Sequence, residues 1–289
     1  MSRLFKAFMF KLRKDITFRV TLIVGASVAV FLTLLYLLLD YALFEGEQHV
    51  FLSGQSMLIT SLSPTQNFGL AIPVNLITYT VLEFTQGSIR NKIISGHSKA
   101  KLYLSLYLNG LIFAFSLLIV YVLICFGLGS LIGGFDPEGS FIGGISSIAG
   151  GATTLGEGYI LRILIIAVLV YAGIVAFTIF FASLFRNIGP SIPVVILVLI
   201  MCNLVSTFTS FPGIDEKFIW VMRIINPLHA LSATEVITTT TKDAYDNTIV
   251  NASVNMTNET FFSGIGSNIF YIFAFLFGGL VIFKHRDVK

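Results

Sequence analysis

The stretch EFTQGSIRNKIISGHSKAK, residues 83–101, decides how the rest of the chain is read. It sets four cations, Arg90, Lys92, Lys99 and Lys101, against the single carboxylate of Glu83. Apolar runs flank it, at about residues 67–82 and 102–128. A hydrocarbon core about 30 Å thick takes about 20 apolar residues per helix. The stretch therefore reads as a connector between two membrane spans, and its basic character predicts a cytoplasmic position. Its punctuation predicts a short amphipathic helix: Ser88 as its cap, Ile89, Ile93 and Ile94 as its apolar residues, Gly96 as its end, and Ser98 as the cap of the next span. Such a helix, tied to spans at both ends, could pass force from a docked partner into two helices. A connector that only fixes topology is the plain alternative.

Further apolar runs lie on either side, and together they predict six helical spans at about 18–39, 67–82, 102–128, 159–182, 190–208 and 265–283. They must be helices, because hydrocarbon offers no partners to open backbone groups. Of the 289 residues 55% are hydrophobic and 11% charged, too few charges for a water-facing surface. The expected fold is thus an all-α membrane protein, one transmembrane domain over 1–289. The first apolar run suits a span better than a signal-peptide core. Before it, in residues 3–15, Leu4, Phe5, Phe8, Met9 and Leu12 share one helical arc and Arg3, Lys6, Lys11, Arg13 and Lys14 the other. That pattern predicts a basic amphipathic helix lying on the membrane surface.

Charge orients the spans. With both termini cytoplasmic, 14 of the 18 Lys and Arg residues fall inside; Arg162, Lys217, Arg223 and Lys242 fall outside. The connector 129–158 reads as a flexible glycine-rich outer loop, and residues 209–264 as a long outer segment. In that segment Phe218–Ile225 is apolar enough to pack on or dip into the membrane face. The sequons at Asn251, Asn255 and Asn258 read as chance in a Thr/Asn-rich loop.

No Asp, Glu, Lys, Arg or His falls near the middle of any expected span, where proton-driven carriers place ionisable groups. The four histidines show no ligand spacing, so no metal site is expected, and Cys125 and Cys202 lie inside apolar runs as packing residues. No Gly-x-x-x-x-Gly-Lys-Ser/Thr phosphate loop occurs. No catalytic residue is expected, and nothing favours nucleic acid.

Three features resemble the permease subunits of ABC transporters of the six-span type 2 exporter class. One is the surface helix. Another is Glu83-Phe84-Thr85-Gln86-Gly87-Ser88-Ile89-Arg90-Asn91-Lys92, similar to a Glu…Gly-Thr-Ile-Arg-Asn-Lys pattern leading into a coupling helix, with Ser88 where threonine is common. The third is Ile225-Asn226-Pro227-Leu228-His229-Ala230-Leu231, similar to an outer Asn-Pro segment. The resemblance implies a bacterial cell-membrane protein that is no enzyme itself. It pairs with a second permease, as homo- or heterodimer, and with two copies of an ABC ATPase that carry ATP and Mg. The ATPase contacts implied are Glu83, Gly87, Ile89, Arg90, Asn91, Lys92 and Ile93. Pathway residues implied are Asn75 and Tyr79 in span 2 with Asn203, Ser206 and Thr207 in span 5; hydrogen bonding between helices is their plainer role. The expected cargo is amphipathic or hydrophobic, such as an antimicrobial or toxic peptide. Sodium or drug export, a secondary carrier and a membrane scaffold are the alternatives.

Overall fold

The computed structural model describes residues 9–10, 12–44, 52–63, 71–135, 153–155, 158–209, 217–218, 221–222, 226, 228, 235–242 and 248–285. Its helices are α1 (Ile16–Phe44), α2 (Gly54–Leu62), α3 (Ala71–Thr85), α4 (Ser88–Ile94), α5 (Lys99–Gly133), α6 (Tyr159–Phe185), α7 (Ile188–Thr209) and α8 (Asn258–His285). The strands are β1 (Thr153–Leu155), β2 (Glu235–Lys242) and β3 (Thr248–Asn255). Residues 9–10 and 12–14 are also helical; the rest of the expected surface helix, 3–8 and 11, lies outside the described residues.

Five of these helices, α1, α5, α6, α7 and α8, are long and apolar enough to cross a membrane. The chain is a multi-pass, mainly helical membrane protein. In α6 the apolar window is 67% buried within the protein, against 11–33% in the other four, so α6 is the centre of the bundle. Phe177 and Phe180 of α6 meet Phe275 of α8 at ring-centroid separations of 5.1 and 5.5 Å, and Phe181 packs on both of them at 4.8 and 5.1 Å. Large apolar side chains on the outer faces of α1, α7 and α8, among them Phe31, Leu197 and Phe273, are exposed. That is the composition a helix presents to lipid. Cys125 is buried and Cys202 half-buried, both as free thiols.

The expected second span departs most from the structure. Its helix α3 covers 15 described residues, about 22 Å, and residues 67–70 of that expected span lie outside the described residues. The preceding segment, the connector between the first two expected spans, holds α2. Gly54 lies against Ser130 of α5, while Leu76 of α3 lies against Gly110. Between Gly110 and Ser130 α5 rises about 30 Å. Hence α2 and α3, in sequence, run beside the length of α5 that a single span would cover.

Glycines explain how α2 reaches α5. Gly129 and Gly133, expected at the start of a flexible loop, belong to α5, one turn apart on one face. A side chain at Gly129 would meet Met57, and one at Gly133 would run into the backbone carbonyl of Leu52. Small residues at this spacing let helix backbones approach closely in membranes. The Gly54 amide donates to the Gly134 carbonyl at 2.9 Å, and the Ser53 hydroxyl accepts from the Ser56 amide at 3.2 Å, capping α2. Asp40 of α1, 1% exposed, accepts from the Leu52 amide at 3.1 Å.

The segments expected to lie outside are not all loop. β2 and β3 pair antiparallel from Glu235↔Asn255 to Lys242↔Thr248, and β1 joins β3 in parallel, giving the order β1-β3-β2. The β-branched run Val236–Thr241 and Thr248–Val250 favours strand; polarity alone had suggested loop. This sheet departs from the all-α expectation and contains the sequon residues Asn251 and Asn255. Beyond α7, buried Asn226 donates from Nδ2 to the Cys202 carbonyl at 2.7 Å, so the described part of that segment returns alongside α7. Arg162 of α6 donates to the Met256 carbonyl at 2.6 Å and lies 5.6 Å from the Phe261 ring centre.

Candidate functional site: the platform at the basic end

Lys14, Lys92, Lys99, Arg186 and Lys284 gather at one end of the bundle, and α4 is built into that end. Residue 87 has φ 69°, a left-handed conformation that glycine adopts without strain, and it turns the chain from α3 into α4. Gly87 thus takes the N-cap position expected for Ser88. The Ser88 hydroxyl is drawn elsewhere: it donates to the Glu83 carboxylate, which also receives Lys92 Nζ at 3.1 Å. Glu83 is fully buried and Lys92 is 22% exposed in its side chain. A carboxylate in apolar surroundings costs several kcal/mol unless paired, and this ion pair with an added hydroxyl donor supplies the pairing. The pair bonds the last turn of α3 to the second turn of α4.

Packing finishes the attachment. Ile89 is fully buried in one cluster with Leu102, Tyr103 and Phe283, with Phe84 and Ile93 against it. Phe283 lies 5.8 Å from both Phe84 and Tyr103, ring centre to ring centre. Arg186, in the α6–α7 turn at φ 52°, stacks 5.4 Å from the Phe84 ring centre. Lys99 Nζ donates to the Lys284 carbonyl at 3.1 Å, tying α5 to α8. As expected, Gly96 ends α4, at φ 89°, and the Ser98 hydroxyl accepts from the Lys101 amide to start α5. So α4 is anchored on one face to α3, α5 and α8, while Arg90, Asn91 and Ile94 point away, Ile94 at 74% exposure.

The expected pathway residues are not gathered in one place among the described side chains. Asn75 is half-buried and donates to the Ala71 carbonyl of its own helix at 2.9 Å. Tyr79 packs with Leu12, Phe113 and Phe18 near the basic end. Asn203 is half-buried on α7. Ser206 and Thr207 lie on α7 too, with side chains outside the described residues.

Three buried polar residues lie outside the expected pathway set. Thr80 of α3 and Ser105 and Asn109 of α5 are each 1–3% exposed, and their side-chain polar atoms have no hydrogen-bond partner among the described residues. Ser105 and Asn109 are one turn apart on a shared face. An unpaired buried polar group costs about 1–3 kcal/mol. The signal was available: an amide inside the apolar run LYLSLYLNGLIF is expensive at membrane depth.

No protein-family model matches this chain, and no curated protein matches it.

Proposed function

We propose that the chain is the permease subunit of an ATP-driven ABC exporter, with a separate ATPase docking on α4. The carrying observation is the two-sidedness of α4: Ile89 and the Glu83–Lys92 pair fasten one face to α3, α5 and α8, while Arg90, Asn91 and Ile94 are presented outward. A rigid lever with one face free suits a helix that receives a push. In this reading the basic end is cytoplasmic, and α2 with α3 forms a discontinuous second crossing, which brings the number of crossings to six. The exposed apolar face of α7, with Leu197, Met201 and Leu204, is open to a second permease. Polar but uncharged groups on the inner helices, Asn75, Thr80, Ser105 and Asn109, support an amphipathic or hydrophobic cargo such as a toxic peptide.

The combined variant Ile89→Ala/Arg90→Glu tests coupling. Removing the Ile89 side chain empties a fully buried site, at a cost of about 2–5 kcal/mol locally, and Arg90→Glu reverses an exposed contact charge. Membrane insertion and yield should persist, while cargo-stimulated ATP hydrolysis by the purified complex falls about tenfold or more. Wild-type stimulation in this variant would remove α4 from the coupling role.

A further inference from the structure

At the basic end Phe10 and Lys14, the start of α1 and the last turns of α3 line a half-open cavity of about 500 Å³. That is within the range of small-ligand sites, about 300–1,000 Å³. Its walls divide by chemistry. Phe10, Ile16 and Leu82 are apolar, and all three are more than a third exposed. Lys14 contributes a cation, Asp15 an anion and Gln86 an amide. Tyr79 also lines the cavity; it is 7% exposed, and its hydroxyl has no partner among the described residues.

The framework is held independently of any ligand. Asp15 accepts from the Thr17 amide at 2.9 Å, capping α1. Arg19 donates to the carbonyls of Arg13 and Lys14 at 3.3 and 3.4 Å, which fixes the corner between residues 12–14 and α1. Phe18 and Phe113, 5.4 Å apart between ring centres, pack in the cluster that holds Tyr79. Lys14 Nζ lies 4.4 Å from the Phe10 ring centre, a contact a phosphate can replace.

We infer that this cavity binds a zwitterionic phospholipid whose headgroup ends in a primary ammonium. Lys14 takes the phosphate and Asp15 the ammonium. Tyr79 and Gln86 donate hydrogen bonds to the ester region, and Phe10, Ile16 and Leu82 receive the first methylenes of a chain. One cation, one anion, neutral donors and an apolar wall match that lipid group for group. An anionic lipid leaves Asp15 facing a like charge. The inference does not require that the chain transports anything.

The test uses the full chain reconstituted in vesicles of equal phosphatidylethanolamine and phosphatidylglycerol, each in turn carrying a photoactivatable acyl chain, with adducts mapped by mass spectrometry. Labelling of the peptides bearing residues 10–16 and 79–86 should favour phosphatidylethanolamine about fivefold or more. Tyr79→Phe, which keeps the ring packing, should lower that labelling about fivefold. Asp15→Asn keeps the helix cap and should bring the two lipids to parity. Equal labelling of both lipids in the wild type, meaning annular lipid only, overturns the inference. So do adducts concentrated elsewhere, or wild-type preference in both variants.

Discussion

In the proposed permease, Glu83→Ala is expected to abolish coupled transport while the chain still inserts. The carboxylate is fully buried and holds both Ser88 and Lys92. Without it the Lys92 ammonium, 22% exposed in its side chain, loses its counter-ion, and α4 loses its bond to α3. Breaking a fully buried ion pair costs about 3–5 kcal/mol. Lys92 can swing partly into water, so a cost of about 1–3 kcal/mol is expected here. Cargo-stimulated ATP hydrolysis should fall at least tenfold, together with the melting temperature in detergent. Glu83→Gln keeps the Ser88 partner and should be milder. The double variant Glu83→Met/Lys92→Met separates stability from coupling. Apolar replacement of a buried pair is often neutral or stabilising, so its melting temperature should recover. Transport should stay low if the polar tie sets the angle of α4. Full transport in Glu83→Ala would show that the pair is ornamental.

Gly133→Leu is expected to prevent a stable fold. Position 133 has the Leu52 carbonyl where a side chain would begin, so leucine must push α2 away from α5. Overpacking commonly costs about 1–3 kcal/mol, and more where the obstacle is backbone. Displacing α2 also breaks the Gly54–Gly134 and Asp40–Leu52 hydrogen bonds. About 3 kcal/mol or more is therefore expected, seen as loss of the monodisperse peak in size-exclusion chromatography. Gly127 is the control, because a side chain there meets nothing within 4 Å. Gly127→Ala should be neutral or slightly stabilising, since alanine favours helix over glycine by about 1 kcal/mol. If Gly133→Leu and Gly127→Ala melt alike, α2 does not pack as described.

What the sequence made legible is the part governed by long, uniform patterns. Five long apolar runs became five long helices, and Gly96 and Ser98 ended α4 and started α5 as expected, while Gly87 rather than Ser88 took the N-cap of α4. Features set by tertiary contact were harder to see. GQSMLITSL is too short and polar to predict as buried helix, yet the glycine face of α5 accepts it. The same glycines looked like loop because composition does not reveal what they face. The strands were masked by Thr and Asn polarity, although their β-branched content pointed to sheet. Glu83, Ser88 and Lys92 were each noticed, but the bond among them depends on the turn at Gly87, which places residues five and nine apart side by side. Ser105 and Asn109 passed unnoticed inside a strongly apolar run.

An ATPase is proposed to engage the chain at α4. A photoreactive residue introduced at position 90, 91 or 94, in membranes of the source cell, addresses it most directly, with position 135 at the opposite end of α5 as reference. All of these positions are exposed. Irradiation should join the three α4 positions, and not position 135, to one polypeptide whose sequence, read by mass spectrometry, contains a phosphate loop. Crosslinks from α4 only to lipid, or to a polypeptide without a phosphate loop, would contradict the account.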